Sequence, residues 1–260
     1  MRYHLLDNLR GLTFISMVLF HTMWDLVYIF GVDAPWFHTQ AAYVWQQSIL
    51  YCFVLISGFC WGLGHHPLKR GLIVFGCGLV VTAVTFVAMP DDPAIYGVLS
   101  LLGTSMLLMI VLEKALKHVP AAAGFALSLV LFVLLRGVPY GYLGFDGLPL
   151  VELPDALYAN IVTAAFGFQP ASGFVSSDYV PLIPWLVLFI CGYFLMRLLQ
   201  KPAPATNMQD TSGRPELRLP AIGPWPLVSL IGRHSLIIYM LHQPVIYGVL
   251  MALSAAGILG

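Results

Sequence analysis

Asp7, Arg10, His21 and Asp25 stand in or beside the apolar stretch "RGLTFISMVLFHTMWDL" near the N-terminus. Asp7 and Asp25 are eighteen positions apart, about five turns of an α-helix, and Arg10 and His21 fall about 20° out of line at 100° per residue. A helix here therefore carries Asp7, Arg10, Phe14, His21 and Asp25 on one face. His21 and Asp25 stand at i and i+4, within reach of each other. An imidazole held in one tautomer by a carboxylate is a general base. The same pair could instead lock helices together. Deep in a membrane span, an ionisable group costs several kcal/mol unless it meets a partner or water, so this stripe is the first candidate for function.

The segment "LIGRHSLIIYMLHQPVIYGVL" near the C-terminus repeats the pattern. Ser235, Tyr239 and His242 follow i, i+4, i+7, Gln243 is beside them, and Pro244 is expected to kink the helix. Their plain reading is interhelical hydrogen bonding. Gln47 and Tyr51 share a face of "YVWQQSILYCFVLISGF", where Gly58 suits close helix packing. His38 precedes that segment on the outer side, and adjacent outer ends of the first two helices are expected to bring it toward Asp25. Asp178, Tyr179 and Trp185 open a later span at the outer boundary, where an aromatic belt with a polar cap competes with acceptor binding.

The elements that must position these groups follow from composition. The chain has 260 residues, 59% hydrophobic and only 9% charged, against about 25% charged in soluble domains. It reads as an all-α, polytopic transmembrane bundle forming a single domain over 1–260. Apolar runs place about seven spans, near 9–30, 43–64, 70–89, 95–113, 119–136, 181–200 and 228–252. Of the twelve Lys and Arg residues, all but Arg136 fall on one side, and the other side carries Asp33, Asp91, Asp92, Asp146, Glu152, Asp155 and Asp178. This bias puts the N-terminus in the cytoplasm and the C-terminus outside. His21 then lies about 18 Å along the first span, near mid-membrane. Residues 202–220 are Pro-rich and polar and read as a flexible cytoplasmic linker; 137–180 read as an outer cap with a short or re-entrant helix at 155–168. The first apolar run is too long, carries polar residues and lacks the small-residue site of a cleaved signal peptide. Cys52, Cys60, Cys77 and Cys191 read as small buried hydrophobes, and no metal site is expected. A zero formal net charge suggests no nucleic-acid partner.

Four motifs in chain order carry a family resemblance. Arg10 to His21, "RGLTFISMVLFH", resembles the first-helix signature of the transmembrane acyltransferase superfamily, including the acyltransferase type 3 group, and "FVLISGF" resembles its second-helix motif. "GVLSLLGTSMLL", "DYVPLIPW" and "LIGRHSLIIYMLHQP" are similar to the heparan-α-glucosaminide N-acetyltransferase catalytic-domain family and its bacterial members. The resemblance spans nearly the whole chain. The chain departs at Ser100, where the family often has a histidine.

The resemblance implies transfer of an acyl group, acetyl above all, from cytoplasmic acyl-CoA to a hydroxyl or amine of an outer-face acceptor, a saccharide or cell-envelope glycan. It implies a multi-pass protein of the bacterial cytoplasmic membrane. It places the catalytic histidine at His21 by the type 3 pattern, or at His38 by the lysosomal N-acetyltransferase pattern. On the residues, Asp25 orients His21; His242, Tyr239 or Gln47 donates to the thioester oxyanion. Gln243, Asp178, Tyr179 and Trp185 help bind the acceptor, and the basic residues Arg10, Lys69, Arg70 and Arg233 attract CoA phosphates or simply set topology. The partners are lipid bilayer and a small-molecule or glycan acceptor, with homo-oligomerisation open. The alternative is a proton-coupled transporter or flippase using the same His–Asp track; the absence of an internal repeat counts against it.

Overall fold

The structure is a computed structural model that describes residues 3–170, 172–200 and 216–259. Among the described residues, seven helices are long and apolar enough to cross a membrane: α1 (His4–Tyr28), α2 (Gln40–Trp61), α3 (Pro67–Ala88), α4 (Val98–Leu116), α5 (Ala121–Leu135), α7 (Leu182–Leu199) and α9 (Ser235–Ala255). The fifth span continues through a 3-10 turn to Tyr140. The strands β1 (Tyr142–Phe145) and β2 (Leu148–Glu152), the single-turn α6 (Ile161–Ala164) and the short α8 (Pro226–Arg233) complete the set. The all-α membrane architecture read from the sequence is what the structure has. The expected last span is divided, since α8 ends at Arg233 and α9 begins after His234.

The chain forms two compact units, residues 1–53 with 219–260, and residues 54–218, so α2 runs across the division. In the first unit, α1 packs on α8 and α9. Contact with α8 is close because both helices present glycine: a Cβ at Gly232 would strike the Asp7 carbonyl, and one at Gly11 the Val228 carbonyl. Asn8 then reaches the start of α8. Its Oδ1 accepts from the Trp225 N–H at 3.1 Å and from the Ser229 hydroxyl, and its Nδ2 donates to the Gly223 carbonyl at 3.0 Å. One amide thus satisfies backbone groups that a helix start leaves without partners. Farther along α1, Phe14, Met17 and Phe20 join Phe37 and Ile49 in an apolar core, and the Trp45 indole donates to the Ser16 hydroxyl at 2.8 Å.

The second unit pairs α3 with α4 and α5 with α7. Gly58 of α2 faces the Phe189 carbonyl of α7, and Gly192 returns the contact to the Leu55 carbonyl, as expected for a glycine serving close packing. Ser100 lies in the α3–α4 contact, against Gly78. The region 137–180 is a cap of short pieces, and the helix expected at 155–168 takes its short form. A β1–β2 hairpin opens it, and 155–168 holds a 3-10 turn (Asp155–Tyr158) and only one α-turn, capped by the Asn160 side chain. Of the proposed 202–220 linker, 202–215 lie outside the described residues. Its end is pinned: Leu217 is buried and the Arg218 N–H donates to the Leu199 carbonyl. Cys60 and Cys191 are buried as expected, whereas Cys52 is exposed and Cys77 half-buried.

Asn8→Ala removes all three contacts to the start of α8 and leaves the buried Ser229 hydroxyl without its acceptor. It should lower stability by about 2 kcal/mol, read as a drop in the unfolding midpoint of the detergent-solubilised protein. An unchanged midpoint would show that α8 is held by its glycine contacts alone.

Candidate active site

In the first unit, α1 supplies His21 and Asp25, and α9 supplies Tyr239, His242 and Gln243. Asp25 is fully buried. Its Oδ1 accepts a hydrogen bond from Gln243 Nε2 at 2.8 Å. The two remaining oxygens of this pair, Asp25 Oδ2 and Gln243 Oε1, are buried and have no partner among the described residues. Both are acceptors. Each such atom costs free energy until a donor reaches it.

One turn earlier on α1, the His21 ring packs edge-on against His242, with centroids 4.9 Å apart. His242 Nδ1 contacts the Tyr239 carbonyl. A carbonyl only accepts, so Nδ1 carries hydrogen, and in the neutral ring Nε2 holds the lone pair. Tyr239 packs on His242 at 5.2 Å and on Phe53 of α2 at 6.5 Å. Gln47 is half-buried on the α2 segment of this unit.

This arrangement revises two expectations. His21 and Asp25 share the face of α1 as the turn arithmetic requires, but the carboxylate is met by Gln243, not by the imidazole. The short Asp25 side chain meets a long amide from α9, while His21 turns to the second imidazole. His242, with Nδ1–H given to a backbone carbonyl, is an acceptor when neutral and so not the oxyanion donor that its position in the sequence suggested.

His38 is exposed on the 3-10 turn Pro35–His38. Its partner is the Tyr28 hydroxyl, 3.3 Å from Nδ1, not Asp25. Arg233 lies 3.7 Å from the Asp7 carboxylate, which ties the first turn of the stripe to α8, and Arg10 is half-buried. Arg233 is therefore partly neutralised before any phosphate could reach it.

The other candidates belong to the second unit. Lys69 is exposed and Arg70 half-buried at the start of α3. Asp178 Oδ2 accepts from the Val98 N–H at 3.1 Å and so caps α4. Ser176 works beside it, donating to the Ile95 carbonyl at 2.8 Å and accepting from the Ile95 N–H at 2.9 Å. The Tyr179 hydroxyl donates to the Ala164 carbonyl at 2.6 Å, and burial pushes its phenol well above the usual range. Trp185 is buried, with the Arg136 guanidinium 5.1 Å over its ring. These contacts fix the cap to the helix ends, so the three residues have structural work where acceptor binding was expected. Among the described residues no three His, Cys, Asp or Glu side chains gather as a metal site would require.

The family model described as "Heparan-alpha-glucosaminide N-acetyltransferase, catalytic" matches residues 2–244. Comparison with curated proteins gives no match, nor does comparison with solved structures.

Gln243→Leu would strip Asp25 of its donor and should cost about 1.5–3 kcal/mol, the range for hydrogen bonds to charged groups. Adding Asp25→Leu should recover most of that loss, because the orphaned carboxylate goes with its partner. Unfolding midpoints of the two variants check this; equal midpoints for both would show that the contact carries little.

Proposed function

The chain belongs to the heparan-alpha-glucosaminide N-acetyltransferase catalytic-domain family, and from that premise we propose that it moves an acetyl group from cytoplasmic acetyl-CoA to an amine or hydroxyl of an outer-face acceptor. It is a multi-pass membrane protein of an acetyltransferase family. The acceptor we propose is a saccharide or cell-envelope glycan, and the membrane a bacterial cytoplasmic one. The observation that carries the reading is the contact of His21 with His242 one turn from a buried Asp25–Gln243 pair holding two unpartnered acceptor oxygens.

In this reading the acceptor N–H or O–H satisfies those oxygens and is held for attack. His21 takes the proton as the acceptor atom bonds to the thioester carbon. The C–S bond then breaks, and the proton passes to the departing CoA sulfur. His242 Nε2 can share the proton while it rests on the imidazole pair. Donation to the oxyanion falls to the Tyr239 hydroxyl or the Gln47 amide. Arg10, Lys69 and Arg70 are the cations proposed to attract CoA phosphates, with Arg233 weakened in that role by Asp7.

A second reading places the base at His38. It is favoured by that ring's exposure, which lets an acceptor arrive from outside, and by the Tyr28 hydroxyl, which holds it. His21→Ala and His38→Ala separate the two. With acetyl-CoA and an amino sugar, His21→Ala should reduce release of free CoA thiol by about 10²–10⁴-fold, with the unfolding midpoint kept and His38→Ala near wild type. The reverse pattern would move the base to His38. A fall of midpoint and activity together in His21→Ala would make His21 a packing residue.

A further inference from the structure

The hairpin β1–β2 has a surface unsuited to water. Leu148, Leu150 and Val151 are 66%, 68% and 58% exposed, and Phe145 is exposed at the turn. Successive strand residues point to opposite faces, so Leu150 and Val151 make both faces of β2 apolar. An exposed apolar strand of this kind invites aggregation unless something covers it.

Helix length says what covers it. α5 has fifteen residues, about 22 Å at 1.5 Å per residue, against about 30 Å of hydrocarbon, and tilt shortens its reach further. With the 3-10 turn Val138–Tyr140 the span only just reaches the far edge. The hairpin begins there, at Tyr142, and folds back. The Gly137 N–H donates to the Gly144 carbonyl at 2.8 Å, and β1 packs on α5. The end of β1 is thus level with the end of α5, not projected away from it. α5 itself exposes apolar side chains, among them Leu127, Leu131 and Leu134.

Charge distribution agrees. The one basic residue on this side, Arg136, is only 3% exposed. Asp146 of the hairpin turn lies 3.5 Å from its guanidinium, and Trp185 lies under it. The exposed residues from the turn to Val151 are Phe145, Gly147, Leu148, Pro149, Leu150 and Val151, all uncharged, and the exposed Glu152 closes β2. At the turn, charge directed inward and apolar groups directed outward is the pattern that lipid demands, and the exposed Glu152 at the strand's end suits the headgroup layer. Two backbone groups of the turn are met within it, since the Tyr142 hydroxyl accepts from the Gly147 N–H at 2.9 Å and donates to the Phe145 carbonyl. The open edges of a two-stranded ribbon still require water, which excludes the hydrocarbon core and leaves the interface.

We propose that the hairpin Tyr142–Glu152 is a membrane-interface anchor. It sits in the headgroup layer at the outer end of α5, with Phe145, Leu148, Leu150 and Val151 dipping among the first acyl carbons. The bilayer is its partner, and the inference stands on the span alone, apart from the acyl-transfer chemistry. Spin labels at Leu148→Cys and Leu150→Cys, in the full chain with Cys52, Cys60, Cys77 and Cys191 replaced and reconstituted in bilayers, test it. Collisions with oxygen should dominate those with a water-soluble nickel chelate, opposite to a label at Lys69→Cys. Chelate collisions equal to those at Lys69→Cys would overturn the proposal. So would dipolar broadening with both reagents excluded, which would put a second copy on the strand. Leu150→Trp in the chain with its native cysteines gives an independent reading. Brominated lipid should remove a larger share of its emission than of wild-type emission, and an equal share would overturn the proposal.

Discussion

A carboxylate placed in a membrane span must be met by a donor or by water, and here another helix brings the donor. Asp25 is that carboxylate and Gln243 the donor. The contact sets α1 against α9 in one register and carries His242 to His21. Near the start of α1 the same two segments of sequence are held by Asn8 on the start of α8 and by Asp7 on Arg233. Polar contacts thus occur at both ends of one helix face, with the aromatic core around Phe14, Phe20 and Trp45 between helices 1 and 2. In lipid, where apolar burial gives helices no preference for one another over acyl chains, such contacts and close glycine packing decide which helices pair.

The pair also leaves something incomplete. One amide N–H cannot serve two carboxylate oxygens, and the amide oxygen has no donor. Structural pairs usually close their hydrogen bonds. An open pair of acceptors beside two imidazoles suits a group that brings its own N–H or O–H and gives up a proton, which is what the acceptor of an acyl transfer does. The candidates of the second unit differ in this respect. Asp178, Tyr179 and Trp185 are engaged with helix ends and cap backbone, so their polarity is already used.

Much of this was legible beforehand, for physical reasons that vary by element. Long apolar runs mark spans whatever their neighbours do, so all seven were readable. The periodicity of a helix is local, so His21 and Asp25 were correctly placed on one face. Their partners were not readable, because which α9 residue meets Asp25 depends on register between segments far apart in the chain. The break at His234 was hidden inside a continuous apolar run. The hairpin had a signal that went unused: Asp146-Gly147 between two short apolar runs is a strong turn pair. Asp178 resembled a site residue because caps and acceptor-binding residues use the same side chains. The contact with Val98 shows that it does cap α4.

The central claim is that the buried polar track of the first unit serves acyl transfer rather than passage of a solute. The most direct measurement follows acetyl-CoA and an amino-sugar acceptor together in proteoliposomes holding the wild-type protein, with the two supplied on opposite sides. The account predicts CoA thiol released in step with acetylated acceptor, and neither product when the acceptor is withheld. Acceptor crossing the bilayer unmodified, at the same rate with or without acetyl-CoA, would contradict it.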